Sequence, residues 1–173
     1  MIDLFGFFTP DIMFGSVYDI DFGELGKKNI KGVIFDIDNT LVSYRQEEPT
    51  QNVAELINKL TGAGFKICFV SNNTKQRVDA FLKGFGEPGF LSYPNAGKPF
   101  AKYIREALRA MELKPDEAVL VGDQLFTDVA AAKRAKIMSV TVTPIEPVET
   151  LFFKLKRFLE KPIIKRYYRR INK

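Results

Sequence analysis

The stretch that most constrains the fold is the ten-residue run GVIFDIDNTL at positions 32–41. Its apolar first half is typical of a strand that is buried on both faces of a sheet. The strand ends on Asp36 and Asp38, whose i, i+2 spacing places both carboxylates on one side if the backbone stays extended. Two like charges so close repel, which indicates a bound cation or a shared proton. The alternative is a solvated strand end, because Asp, Asn and Thr are common turn residues.

The composition is that of a globular protein without histidine. The 173 residues are 46% hydrophobic and 27% charged, which suits one domain with a substantial core. The absence of His excludes Ser-His-Asp and Cys-His catalysis and the usual zinc sites. The one cysteine, Cys68, lies in an apolar run and is expected to be a buried structural thiol. Any acid, base or nucleophile is therefore expected among Asp, Glu, Lys, Ser, Thr and Tyr.

Targeting signals are not evident in the sequence. No apolar run approaches the roughly 18 residues that span a bilayer. The apolar N-terminus contains no Lys or Arg before Lys27, so it lacks the basic start of a secretory signal. A lone cysteine fits a reducing compartment. We therefore expect a cytoplasmic protein.

Charge is unevenly distributed along the chain. Residues 151–173 contain nine Lys or Arg and one Glu, a net charge of +8, which leaves −3 for the rest. We expect three segments: an apolar and acidic N-terminal extension (1–29), a catalytic core (30–145) and basic amphipathic C-terminal helices (146–173). Whether residues 1–22 form short helices or an extended segment is left open.

The C-terminal segment is expected to be amphipathic. Pro162 suits the first turn of its last helix and is expected to separate that helix from the preceding one. One arc of the last helix is then apolar, with the basic residues opposite: Ile163, Ile164, Tyr167, Tyr168 and Ile171. Such a helix can lie on an anionic membrane surface, which would make the protein peripheral. The alternative is an apolar face packed on the domain; nucleic acid is not an expected partner.

Strand and helix patterns alternate through the core. Apolar runs predict strands at 32–35, 66–70, 90–93, 118–121 and 137–142, with helices between them, one of which starts at Pro99 and ends at Met111. This alternation predicts an α/β fold with a doubly wound parallel sheet. Ligands of such sheets bind at the carboxyl ends of the strands. The residues predicted there are Asp36, Asp38, Ser71, Lys98 and Asp123.

These side chains together suit phosphoryl chemistry. One carboxylate of the Asp36 and Asp38 pair can attack phosphorus, and the other can protonate the leaving oxygen. With Asp123 there are three acids in one cleft, which favours Mg²⁺ as a cofactor. Ser71 can bind phosphate oxygens and Lys98 can neutralise their charge. Alternatively, Ser71 is only a helix N-cap and Lys98 a solvated lysine.

Four motifs in this order resemble those of the haloacid dehalogenase-like hydrolases over residues 30–142. They are D-I-D-N-T at 36–40, Ser71, Lys98-Pro99 and G-D-Q-L-F-T-D at 122–128. The resemblance implies that Asp36 is the nucleophile and Asp38 the acid/base, with the main-chain carbonyl of Asp38 facing the metal. It also implies phosphate binding by Thr40, Ser71, Asn72 and Lys98, and metal binding by Asp36, Asp38, Asp123 and Asp128. From the sequence, Asn72, Asn73 and Arg77 could be surface residues or could reach the substrate.

The motif details are similar to the YqeG-type phosphatases of subclass III, a group similar to the mitochondrial phosphatidylglycerophosphate phosphatases. The intervals between the motifs are too short for a cap domain, so the resemblance implies a capless enzyme whose site is open to large substrates. A Mg²⁺-dependent phosphatase acting on a phospholipid head group is the expected function. The alternatives are a phosphatase of soluble metabolites or phosphoproteins, and a non-catalytic phosphoacceptor similar to a receiver module. The oligomeric state is left open.

Overall fold

The computed structural model describes residues 4–86, 89–146 and 151–171, without the side chains of residues 4, 5, 151–154, 156 and 157. Its centre is a parallel sheet of six strands in the order β1-β6-β5-β2-β3-β4. The strands are β1 (Ile12–Phe14), β2 (Gly32–Phe35), β3 (Lys66–Val70), β4 (Leu91–Tyr93), β5 (Ala118–Gly122) and β6 (Met138–Val142). The helices are α1 (Leu4–Phe7), α2 (Phe22–Lys27), α3 (Gln51–Gly62), α4 (Lys75–Lys83), α5 (Lys102–Ala110), α6 (Ala130–Ala135) and α7 (Leu151–Ile171).

Helices cover both faces of the sheet, as the alternating pattern predicts. The apolar residues of α3 and α4 pack with Phe35 and Phe69 on one face. Those of α5 and α6 pack with Ile34 and Cys68 on the other. Every residue of β2 is buried, so the prediction of a strand buried on both faces is confirmed. Cys68 is also buried, and burial raises the pKa of its thiol to about 12, as expected of a structural cysteine.

The N-terminal residues contribute a strand that the sequence patterns did not predict. β1 pairs with β6 at the sheet edge, and Asp11 fixes its start. The Asp11 carboxylate accepts hydrogen bonds from the amide and hydroxyl of Ser139 and lies 2.5 Å from Lys133 Nζ. These contacts lower the pKa of Asp11 although partial burial opposes the shift. Part of the predicted extension at 1–29 thus belongs to the central sheet.

Two predicted helix boundaries were wrong. The helix expected to start at Pro99 begins at Lys102, because residues 97–101 form a loop in which the Phe100 amide donates to the Gly97 carbonyl. Pro162 does not divide the C-terminal segment, since it lies inside the continuous helix α7. Its ring is exposed, where water can satisfy the carbonyl that loses its helical partner.

The apolar arc of α7 is divided between the domain and solvent. Ile163 and Tyr167 are buried, and the Tyr167 hydroxyl accepts a hydrogen bond from the Met13 amide. Tyr168 and Ile171, on the same arc, remain 50% and 53% exposed. Before Pro162, three described apolar side chains of α7 are also exposed: Leu155, Phe158 and Leu159, at 57%, 65% and 51%. Within the described residues, none of the helices has the length and apolar character needed to cross a membrane.

Candidate active site

The predicted residues meet at the carboxyl ends of the central strands. Asp36 follows β2, Ser71 follows β3, and Asp123 follows β5. The loop after β4 brings Lys98 to the same edge. Asp36 and Ser71 line a cleft of about 320 Å³ that opens there, together with Asp38, Asn39, Tyr44, Asn72, Asn73 and Gln124. Among the described residues, the chain between β2 and β5 contains only α3, β3, α4, β4, α5 and the loops and a short 3-10 turn that join them, and no cap domain is inserted over the cleft.

Asp36 is buried and held through both carboxylate oxygens. Its Oδ1 lies 2.6 Å from Lys98 Nζ, and its Oδ2 accepts a hydrogen bond of 3.3 Å from the Thr40 hydroxyl. Its amide donates to the carbonyl of Val121, which fixes the chain just beyond β2. Thr40 is buried beneath the carboxylate, so in this structure it positions Asp36. A role for Thr40 in phosphate binding stays a prediction.

Lys98 connects two of the buried acids. Its ammonium lies 2.6 Å from Asp36 Oδ1 and 2.6 Å from Asp128 Oδ1. Burial alone would lower the pKa of Lys98, but the carboxylates of Asp128 and Asp36 outweigh it and raise that pKa. Burial raises the pKa of Asp36 to about 7, with Lys98 opposing and Asp128 and Asp123 adding to the rise. One ammonium therefore faces more negative charge than it can balance.

The residues present fit a divalent cation. Asp36, Asp123 and Asp128 are all buried, and one oxygen from each lies within 4.8 Å of the others. Hard oxygen ligands in this number are what Mg²⁺ prefers, and its two charges would offset what Lys98 leaves unbalanced. Gly122 makes room for this arrangement, because a Cβ there would lie 2.4 Å from Asp128 Cγ. The metal itself, and its contact with the Asp38 carbonyl, stay predictions.

The Asp38 carboxylate has partners different from those of the acid cluster. Its Oδ1 lies 2.8 Å from an Arg77 guanidinium nitrogen, and its Oδ2 accepts a hydrogen bond from the side-chain amide of Asn73. Arg77 also donates to the main-chain carbonyls of Gln46 and Glu47. Asp38 is thus fixed at the mouth of the cleft while Asp36 lies deeper. Such separate environments suit two carboxylates with different roles.

Asn72 and Ser71 have contrasting positions in the cleft. The Asn72 side chain forms two hydrogen bonds to the Lys98 main chain, accepting from its amide at 2.7 Å and donating to its carbonyl at 2.9 Å. The Ser71 Oγ accepts a hydrogen bond from the Asn73 amide, which leaves the hydroxyl proton available to a phosphate oxygen. Ser71 is not the N-cap of α4, since Thr74 occupies that position.

Three cleft residues were not predicted as site residues. Asn39 adopts a left-handed backbone, with φ of 63°, which Asn tolerates, and its main-chain carbonyl accepts from the Ile145 amide. Gln124 directly follows Asp123 within the motif at 122–128, so its place in that motif was the available signal. Tyr44 lies in a polar loop, and no motif or periodicity in the sequence marks it.

Comparison with known proteins shows that the chain matches one enzyme family and is similar in sequence to several phosphatases. Residues 43–136 match the haloacid dehalogenase-like hydrolases. The chain is 34% identical to the probable phosphatase YqeG of Bacillus subtilis, over 91% of this chain and 90% of that protein. It is 30% identical to the glyceraldehyde 3-phosphate phosphatase of Pyrococcus furiosus, over 68% of this chain and 50% of that protein.

The chain is also similar to a phosphatidylglycerophosphate phosphatase in sequence and to a solved structure in fold. The chain is 26% identical to phosphatidylglycerophosphate phosphatase 1, chloroplastic/mitochondrial, of Arabidopsis thaliana, over 95% of this chain and 49% of that protein. This chain thus spans about half the length of the last two relatives. The crystal structure of CbbY from Rhodobacter sphaeroides in complex with phosphate has a TM-score of 0.54 at 18% identity, covering 68% of this chain and 89% of that one. This structural likeness concerns the fold.

Proposed function

Since the chain belongs to the haloacid dehalogenase-like hydrolases and is a phosphatase, we propose that it hydrolyses phosphate monoesters through an aspartyl-phosphate on Asp36. The observation that carries the proposal is the position of Asp36, buried at the base of the cleft and 2.6 Å from Lys98 Nζ. A phosphatase releases the phosphoryl group that it accepts. The alternative of a non-catalytic phosphoacceptor similar to a receiver module is therefore not retained.

In the first step, a carboxylate oxygen of Asp36 attacks the substrate phosphorus. A new P–O bond forms to Asp36 while the bond to the alcohol oxygen breaks, and Asp38 gives its proton to that oxygen. Arg77 and Asn73 hold the Asp38 carboxyl at the cleft mouth, where the departing alcohol would lie. The Ser71 hydroxyl, which lines the cleft, and the Lys98 ammonium, 2.6 Å from Asp36, would bind the oxygens of the transferring phosphoryl group.

In the second step, a water molecule attacks the phosphorus of the aspartyl-phosphate. Asp38, now ionised, takes a proton from that water, and the P–O bond to Asp36 breaks to release inorganic phosphate and the free carboxylate. Asp36 and Asp38 thereby return to their starting protonation states. The same Asp38 side chain serves both steps, which requires it to stay in place while the alcohol leaves.

The proposed cofactor is Mg²⁺, held by Asp36, Asp123 and Asp128. When bound, it would reduce the repulsion between an anionic phosphate and an anionic nucleophile. The support for this proposal is the buried cluster of three acids, of which Lys98 contacts two, Asp36 and Asp128. Asp123 and Asp128 hold no proposed role in bond making, so their effect on metal binding can be measured apart from turnover.

The proposed substrate is a phospholipid head group, phosphatidylglycerophosphate by similarity to the Arabidopsis relative. The cleft has no cap among the described residues, which suits a substrate presented at a surface. The exposed residues Tyr168 and Ile171 on the basic helix α7 suit contact with an anionic bilayer. A cytoplasmic protein that binds the membrane peripherally would follow. The similarity to a glyceraldehyde 3-phosphate phosphatase favours the alternative, a soluble phosphorylated metabolite.

The test is hydrolysis of a panel containing an aryl phosphate, glyceraldehyde 3-phosphate and phosphatidylglycerophosphate in mixed micelles, with Mg²⁺ or with a chelator. We expect Mg²⁺-dependent turnover that is fastest on the lipid, and none by Asp36→Asn although that variant folds. Rapid quenching of the wild-type reaction should trap phosphate on Asp36. Turnover by Asp36→Asn would refute the mechanism, and a higher kcat/KM for glyceraldehyde 3-phosphate would favour the alternative.

A further inference from the structure

A second concave surface lies beside the helix that follows the active-site loop. This groove of about 550 Å³ is lined by Phe100, Ala101, Lys102, Arg105, Arg109 and Arg134. We call it the α5 groove. Four of its lining residues are basic and none is acidic. Lys102, Arg105 and Arg109 recur at i, i+3 and i+7, which places them on one face of α5. Nothing in the proposed reaction uses this concentration of positive charge.

Neutral main-chain groups hold two of the arginines in place. An Arg105 guanidinium nitrogen donates to the Arg134 carbonyl at 2.7 Å, and Arg134 donates to the Pro99 carbonyl at 3.2 Å. Carbonyls orient the guanidinium groups without cancelling their charge, and each group keeps further N–H donors. Among the described residues, Glu106 forms a long, partly exposed ion pair with the groove, in which its carboxylate oxygen lies 3.9 Å from an Arg109 guanidinium nitrogen. Such an arrangement is suited to a multiply charged anion.

Phe100 adds an apolar group at this basic surface. It is 70% exposed, more than any other large hydrophobic side chain described. It lies two residues after Lys98, so the groove begins next to the active-site loop. A soluble phosphate gains nothing from an exposed aromatic ring. Basic side chains around an exposed aromatic are instead typical of surfaces that enter the headgroup region of a bilayer.

The α5 groove continues toward the basic helix α7 through residues 7–10. The Arg134 guanidinium stacks over the Phe7 ring at 5.1 Å, and Arg170 of α7 donates to the Pro10 carbonyl. The short segment between Phe7 and Pro10 therefore connects the two basic regions. Both regions also present exposed apolar residues, Phe100 in one and Tyr168 in the other.

We propose that the α5 groove is a docking surface for anionic phospholipid membranes, with Phe100 entering the headgroup layer and Lys102, Arg105, Arg109 and Arg134 contacting lipid phosphates. The charge complementarity and the exposed aromatic favour this occupant over a nucleic acid or an acidic protein. Docking there would place the loop of Lys98 next to the bilayer. The use of this surface in catalysis rests on the proposed function, but membrane binding can be measured without turnover.

The test is binding of the full chain to vesicles of equal parts phosphatidylglycerol and phosphatidylcholine, with pure phosphatidylcholine vesicles for comparison. The variants are Lys102→Gln/Arg109→Gln and Phe100→Ser, which spare the arginines bonded to main-chain carbonyls. The matched controls are Lys59→Gln/Lys83→Gln, on helices that cover the opposite face of the sheet, and Tyr18→Ser, an aromatic that is 51% exposed. Thermal unfolding of each variant verifies that it folds.

We expect the wild-type chain to bind anionic vesicles and not neutral ones. Each charge removed from the groove should weaken binding about fivefold, so the double variant should bind roughly 25-fold more weakly. Its control should change binding far less, and Phe100→Ser should weaken it more than Tyr18→Ser does. No binding by the wild-type chain, equal binding to neutral vesicles, or equal loss in the controls would overturn the proposal. Hydrolysis of an aryl phosphate by the wild-type chain tests the enzymatic proposal separately.

Discussion

The side-chain amide of Asn72 pairs with the main chain of Lys98 in both directions, accepting from its N–H and donating to its carbonyl. The pairing joins the loop after β3 to the loop after β4. It fixes the main chain of Lys98, whose ammonium contacts Asp36 and Asp128. Asn72 therefore acts in this structure as a positioning residue. Its effect on phosphate binding would be exerted through Lys98.

Replacing Asn72 by Ala should lower kcat more than it changes stability. A displacement of Lys98 by about 1 Å can cost roughly a hundredfold in rate. The lost hydrogen bonds should cost about 1–3 kcal/mol of unfolding free energy. Steady-state kinetics and chemical denaturation measure the two effects. Asn52→Ala, on the exposed side of α3, is the control and should change neither. A normal kcat for Asn72→Ala would show that Lys98 does not need this support.

Replacing Arg77 by Gln should lower kcat/KM by an amount that depends on the leaving group of the substrate. Arg77 holds the Asp38 carboxylate at 2.8 Å and is itself fixed by the Gln46 and Glu47 carbonyls. An alkyl phosphate needs a proton at its leaving oxygen, whereas an aryl phosphate with a stable phenolate needs it less. We expect kcat/KM to fall at least about tenfold further for the alkyl substrate.

The control for Arg77 is Lys75→Gln on the same helix, because the Lys75 ammonium forms an exposed ion pair with Asp79. It should leave the ratio of the two kcat/KM values unchanged. An equal fall for both substrates in Arg77→Gln would indicate general disruption of the cleft, and would contradict a role in positioning the acid.

The site was predictable where a few adjacent residues determine the geometry. The run at 32–41 specifies a buried strand, its end and the following turn, so Asp36 and Asp38 could be placed without knowledge of the rest. β1 could not, because Ile12–Phe14 is a short half-buried strand that pairs with β6, a strand distant in sequence. Pairings of this kind depend on tertiary contacts such as those of Asp11 with Ser139, which no local pattern encodes.

The continuity of α7 and the partners of Asp38 likewise depend on tertiary contacts that local sequence patterns do not encode. The helix-breaking tendency of proline predicted a break at Pro162, but buried contacts of Glu160 and Ile163 on either side keep the helix continuous against the domain. The chain gives no local sign that Arg77, in α4, turns toward Asp38. Its position follows from how α4 packs on the sheet, which is a property of the whole fold.

Mg²⁺ should raise the thermal stability of the wild-type chain, and Asp123→Asn should remove that effect. Binding to the folded state alone adds about 2.7 kcal/mol when the metal is at 100 times its dissociation constant. Asp123→Asn removes one of three buried carboxylates that lie close together and repel, so its stability without metal should not fall by much. Unfolding midpoints with Mg²⁺ and with a chelator measure the difference.

Asp116→Asn, an exposed acid in the turn before β5, is the control for the metal experiment and should keep the full response to Mg²⁺. If Asp123→Asn responds to Mg²⁺ as the wild-type chain does, the cluster of Asp36, Asp123 and Asp128 is not the metal site. A wild-type chain without any response would contradict the proposal of a resident Mg²⁺.

Replacing Glu160 by Ala should loosen the turn that carries Asp128, although Glu160 lies in α7. Its carboxylate is fully buried and accepts a hydrogen bond of 3.2 Å from the Leu125 amide, at the start of the π-helical turn Leu125–Val129 that carries Asp128. Without this acceptor, a buried N–H loses its partner, at a cost of about 1–3 kcal/mol. We expect a lower unfolding midpoint and weaker Mg²⁺ binding, measured by denaturation and by titration of the metal. Lys161→Ala, the exposed neighbour on the same helix, should change neither. Unchanged metal affinity in Glu160→Ala would mean that α7 stabilises the fold without supporting the site.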